Sequence, residues 1–105
     1  MTPIEALRAA RHLGLEIEAD GEHLVLSARL PPPSWLRDAL RQHKAQVLAL
    51  LRPDESGWTG EDWAAFHEER AAILEHDQGM IRLEAEILAH EQTETERARR
   101  LARAA

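Results

Sequence analysis

Apolar and polar positions alternate on either side of Asp20-Gly21 over one stretch of the chain, Leu15 to Arg29, which reads L-E-I-E-A-D-G-E-H-L-V-L-S-A-R, with Val25 the one large apolar residue among the polar positions. A period of two predicts strands. Asp20-Gly21 offers the two central residues of a type I′ turn, where positive φ is required and glycine tolerates it best. With Ala19 facing Glu22, Ile17 falls opposite Leu24 and Leu15 opposite Leu26, so one face of the hairpin is aliphatic. The other face carries Glu16, Glu18, His23, Val25, Ser27 and Arg29. A slip of one residue would mix the two sets. Two strands alone are marginal in water, so Leu15, Ile17, Leu24 and Leu26 need a cover, and the flanking segments supply it as helices.

Thr2-Pro3-Ile4-Glu5 is a helix start, with Thr at the N-cap, Pro at N1 and Glu at N3 to close a capping box. Ile4, Leu7, Ala10 and Leu13 recur on one side, and Gly14 is suited to the position just past the end, so the first helix spans about Pro3 to Leu13. Leu30-Pro31-Pro32-Pro33 ends the second strand, because proline donates nothing to a ladder. From Ser34, Leu36, Leu40, Val47, Leu48 and Leu51 follow helical spacing, and periodicity alone gives one helix to Arg52 before Pro53 stops it. Asp54 to Gly60, D-E-S-G-W-T-G, has the composition of a linker. Thr59 and Asp62 form a weaker capping box for a helix carrying Trp63, Phe66, Arg70 and Ile73. His76 to Gly79 reads as a turn, and a last helix begins near Met80. Its apolar spacing vanishes over Glu91–Arg100, which leaves a solvated helix or a frayed end. The pattern predicts an α+β protein: a mixed unit over residues 1–53, a linker over 54–60 and an αα-hairpin over 61–105.

Charge sharpens this division. Residues 1–52 hold seven Arg or Lys against six Asp or Glu, a net +1; residues 53–92 hold two against eleven, −9; residues 93–105 hold four against two, +2. An acidic block with a short basic end argues against general nucleic-acid binding, which needs a basic face. The basic end suits its own helix C-terminus. The chain has no cysteine, which excludes disulfides, thiolate nucleophiles and Cys-ligated zinc and fits a reducing cytoplasm. No apolar run is long enough to span a bilayer. His67-Glu68-Glu69-Arg70-Ala71 begins like a helical zinc motif, but Ala71 stands where the second histidine belongs. No elbow surrounds Ser27, Ser34 or Ser56, and no glycine-rich phosphate loop is present. Catalysis, cofactors and metals are therefore not expected.

Residues 3–52 run helix, hairpin, proline-rich connector, helix, and close on L-R-D-A-L-R-Q-H-K-A-Q-V-L-A-L-L-R. The Leu13-Gly14-Leu15 junction, the ribbon around Asp20-Gly21 and the run from Leu36 through His43-Lys44 to Arg52 together resemble the TubC-type N-terminal docking domains of hybrid polyketide and nonribosomal peptide assembly lines. The resemblance covers about half the chain, and no condensation, adenylation or carrier segment lies within these 105 residues. Residues 63–90 look similar to a tail found on small bacterial proteins with such domains. The resemblance implies an αββαα unit with its last helix broken near His43-Lys44, a homodimer, and a hairpin that receives the C-terminal or other extended peptide of a protein partner. On this sequence the receiving face would be Glu16, Glu18, His23, Val25, Ser27 and Arg29, with backbone pairing for contact and charge for selection. The alternative expectation is a self-associating accessory protein whose C-terminal helices form the interface.

Overall fold

In a computed structural model of the chain, which describes residues 1–104, the elements run α1 (Pro3–His12), β1 (Glu16–Asp20), β2 (His23–Ser27), α2 (Ser34–Gln42), α3 (Lys44–Leu51), α4 (Gly60–Asp77) and α5 (Arg82–Ala104). The fold is α+β, with a helical hairpin at its C-terminal end. It divides into two units, Met1–Arg52 and Pro53–Ala105.

The first unit is set by the two ends of α1. At its start the Thr2 hydroxyl accepts from the Glu5 N–H at 3.2 Å, and the Glu5 carboxylate accepts from the Thr2 N–H at 3.0 Å. That pairing holds the Glu5 carboxyl below the ordinary glutamate range. At its end Gly14 takes φ +80°, its N–H bonding Arg11 and the Leu15 N–H bonding Ala10, which is the Schellman arrangement. The reversal sends Leu15 inward, where it is 5% exposed. Leu13, expected on the inner stripe, becomes the C-cap and stands exposed.

The hairpin register differs from the expected one. Asp20 pairs with His23, Ala19 with Leu24, Glu18 with Val25, Ile17 with Leu26 and Glu16 with Ser27. The loop is Gly21-Glu22, with Gly21 at φ +60° and Glu22 not at positive φ, the preference of a type II′ turn, which wants glycine first. The shift moves each partner by two residues, so both faces keep their members. Ile17 and Leu15 are buried in a core with Leu7, Ala10, Leu36, Leu40 and Val47.

The helix after the prolines is broken at His43, contrary to periodicity. Pro33, not Ser34, occupies the N-cap, and no side chain caps the end. Leu40 and Val47 are seven residues apart, two turns, so their spacing also suits a straight helix. The intervening inward positions, however, are His43 and Lys44, which offer nothing to bury. The backbone turns at His43 (φ −105°, ψ 22°), and its ring hydrogen-bonds the Met1 carbonyl through Nε2 at 2.9 Å. Both short helices then pack on α1, and α3 also reaches the two strands. Arg52 donates through Nη2 to the Gly21 carbonyl at 2.6 Å, tying the end of α3 to the turn.

In the second unit, residues 53–59 close a loop through a Pro53–Thr59 bridge. Asp54 organises it. Its carboxylate accepts from the Ser56 N–H (2.8 Å) and hydroxyl and from the Trp63 indole N–H (2.9 Å), which hold the carboxyl below the ordinary aspartate range, the Ser56 hydroxyl foremost. Trp58 packs on Trp63, ring centroids 4.5 Å apart, with the Arg100 guanidinium 4.2 Å above it. Thr59 and Asp62 complete the expected capping box of α4. Small residues, Ala71 on α4 with Ala85 and Ala89 on α5, are fully buried and let the helices approach closely. Arg82 reaches Glu68, Glu75 and Glu86 at 2.6, 3.1 and 3.0 Å. The last helix starts at Arg82 rather than Met80 and runs on through the segment without apolar spacing. Polar contacts replace the missing stripe there: Arg70 donates to Gln92, and Arg99 and Arg100 to Glu96, each at 3.0 Å.

Candidate functional site

The two strands are unequally covered. On β1, Leu15 and Ile17 have gone into the core, whereas on β2 Leu24 is half-buried and Leu26 is 38% exposed. The helices cover one strand's aliphatic side chains and leave the other's partly open.

The backbone of β2 is open as well. In a hairpin with a two-residue loop, the pair that closes the loop exchanges both hydrogen bonds and alternate pairs do the same. Asp20–His23, Glu18–Val25 and Glu16–Ser27 are then the bonded pairs, and the N–H and C=O of Leu24 and Leu26 point away from β1. Neither residue makes a backbone bond elsewhere among the described residues. These free groups run along a groove of about 260 Å³ lined by His23, Leu24, Leu26, Arg37, Leu40, Arg41 and Lys44. Its floor is leucine, and its rim is basic. Arg37 and Arg41, four residues apart, share one side of α2, and Lys44, the first residue of α3, lines the same groove.

Of the residues expected to receive a partner, Glu16, Glu18, Val25 and Ser27 are exposed on the polar face of the ribbon. His23 is exposed too, and alone among them lines the groove. Arg29 lies beyond the end of β2 and outside the ladder. Leu24, Leu26 and Leu40, which hydrophobic patterning consigns to the core, and the cations Arg37, Arg41 and Lys44 complete the site. The R-x-x-L-R-x-x-K run from Arg37 to Lys44 is the sequence signal that could have found it, a basic stripe beside one leucine.

A larger hollow of about 440 Å³ lies in the second unit against Phe66, Arg70, Leu88 and Gln92. Its polar groups are occupied with one another, Arg70 with Gln92, Arg99 with Glu96 and the Thr95 hydroxyl with the Glu91 carbonyl. Among the described residues no three His, Asp or Glu are placed to hold a metal ion, and no helix is long and apolar enough to cross a membrane. Comparison of the chain with protein-family models, curated proteins and solved structures returns no match.

Proposed function

We propose that the first unit is a protein docking module, non-enzymatic, that receives an extended peptide segment of a partner along the outer edge of β2. The observation that carries this reading is the coincidence of three features on one line: unpaired backbone groups at Leu24 and Leu26, an apolar floor and a basic rim. Backbone pairing supplies contact that any extended chain can make. Side chains supply the choice. An added strand presents alternate residues to opposite faces. Those on the groove side meet Leu26, Leu40, Arg37, Arg41 and Lys44 and should alternate apolar with acidic. Those on the other side meet His23, Val25 and Ser27, with Glu16 and Glu18 one strand further, and favour small or basic residues. This is the receiving role that the likeness of residues 3–52 to TubC-type docking domains implies, with the selecting charges moved from the ribbon face to the groove rim.

The test is a titration of the isotopically labelled intact chain with C-terminal peptides of proteins encoded beside it. Amide shifts concentrated at residues 23–27 and 37–44 are expected, and the Arg37→Glu, Arg41→Glu double variant should bind the same peptide roughly tenfold or more weakly with folding unchanged. Shifts that avoid β2, or an affinity indifferent to the double reversal, overturn the reading.

A further inference from the structure

The docking reading leaves the histidine run of α4 unused. His67-Glu68-Glu69-Arg70-Ala71 has a first ligand in place and lacks the second, which a helix would carry four residues on. Ala71 holds that position and is fully buried against α5, in a cluster with Ala85 and Ala89. These small side chains let the two helices close, and the closeness has an effect one turn earlier. His67 lies four residues before Ala71, on the same side of α4. Across the hairpin it meets His90, the residue after Ala89, with ring centroids 6.5 Å apart and planes at 67°. The alanine that interrupts the run within α4 is thus the contact that brings up a histidine from α5.

Neither ring is tightly held. His67 Nε2 stands 3.4 Å from the Glu86 carbonyl, beyond the usual hydrogen-bond range, and His90 is exposed. Two imidazoles sharing one tetrahedral ion, each nitrogen about 2.0–2.1 Å from it, have centroids about 5 Å apart. The pair is therefore open by about 1.5 Å, a gap within reach of the side-chain torsions of His90. The charge nearby suits a cation. Glu86 and Glu94 lie one turn before and one turn after His90, while Arg70 is engaged by Gln92 and Arg82 by Glu68, Glu75 and Glu86.

We propose that His67 and His90 form a cross-helix site for a divalent ion that prefers nitrogen ligands, zinc being the type case. Imidazole suits such ions, whereas calcium and magnesium take oxygen. Among the described residues no third His, Asp or Glu completes the set, so each helix supplies one nitrogen and water fills the other positions. A site with two protein ligands is an exchangeable clip, unlike the closed four-ligand zinc of a permanent structural centre. It exists only when the hairpin is formed, so the ion binds the folded unit and stabilises it in proportion to occupancy. The clip lies in the second unit, apart from the groove beside β2, and does not depend on the docking reading.

The probe is zinc chloride added to the intact, isotopically labelled chain at about pH 7.5, where free imidazole is mostly neutral. Zinc should perturb the imidazole signals of His67 and His90 before those of the other four histidines. It should also raise the urea midpoint of amide signals from α4 and α5 while leaving those of residues 1–52 in place. His67→Gln and His90→Gln, the second at an exposed position, should each weaken zinc binding in calorimetry about tenfold or more and abolish the midpoint shift. His76→Gln, exposed and also on α4, should do neither, and magnesium at the same concentration should have no effect. An equal response from all six histidines, a midpoint shift that survives His90→Gln, or no shift at millimolar zinc would overturn the proposal.

Discussion

Ile17 and Leu26 face each other across the ribbon on one aliphatic side, yet Ile17 is 2% exposed and Leu26 38%. Truncating either to alanine removes about three methylene-sized groups, each worth about 0.8 kcal/mol when wholly buried. Ile17→Ala loses all of that, about 2.4 kcal/mol, together with a cavity term in a closed core, for a total of about 3–4 kcal/mol. Leu26→Ala loses only the covered share, about 1.5 kcal/mol, and water fills the space. A unit of this size holds about 3–8 kcal/mol in all. Ile17→Ala should therefore leave it near or below its folding threshold, and Leu26→Ala should not. The measurement is a urea titration of the intact labelled chain followed through amide signals of residues 1–52. Bulk fluorescence would mix Trp35 of this unit with Trp58 and Trp63 of the other. Losses equal within about 0.5 kcal/mol would mean that Leu26 is an ordinary core residue. The groove would then have no floor to offer a partner. A small loss for Leu26→Ala combined with a large loss of peptide binding would separate the folding role of β1 from the recognition role proposed for β2.

Gly21→Ala should lower the stability of the first unit by about 1 kcal/mol, seen as a reduced urea midpoint, since φ +60° is unfavourable for any residue with a Cβ. Nothing lies within 4 Å of the added atom, so an unchanged midpoint would show that the turn conformation is wrong. In the second unit, Asp54 has a folded pKa below its ordinary value because the Ser56 hydroxyl and then the Trp63 indole bond its charged form. A depressed folded pKa stabilises above the unfolded value and is lost as pH falls through the folded one. Stability of the second unit should accordingly fall below about pH 4, and Asp54→Asn should flatten that part of the profile in urea melts taken at a series of pH values. A slope as steep in the variant would assign the effect to other carboxylates.

The strongest local signals were legible directly. Thr2 with Glu5, Gly14, and Thr59 with Asp62 act through neighbours three residues away or through a single backbone angle, and the structure places each as its local chemistry dictates. The hairpin faces were legible for a related reason: side-chain parity survives a shift of two, although the turn moves from Asp20-Gly21 to Gly21-Glu22. What periodicity does not carry is competition for cover. Leu24 and Leu26 look in sequence like Leu15 and Ile17, and only the placement of α1 and α3 decides that β1 is enclosed and β2 left open. The break at His43 is of the same kind. A seven-residue gap between Leu40 and Val47 fits a straight helix as well as a bent one, and the bend follows from packing both halves on α1. The last helix was legible up to about residue 90, and its second half was left between a solvated helix and a frayed end for the opposite reason, since Gln92, Glu96 and Arg100 are ordered by particular partners, which hydropathy does not record.

An open strand edge is hazardous because it can pair with its own kind. β2 has neither of the usual local protections: it contains no proline and no lysine, and the three prolines come only after it ends. Its protection is lateral. Arg37, Arg41 and Lys44 stand beside the edge, so a second copy of β2 arriving to pair would bring a second such rim, cation to cation. An acidic segment arriving on the same line meets the opposite field. Under the proposed docking role, one set of side chains would oppose the unwanted strand and favour an acidic partner, selectivity from repulsion as well as attraction. On that proposal the edge can stay open at Leu24 and Leu26 because the apolar floor is narrow, the backbone groups are generic, and the sign of the rim would select the chain that pairs there.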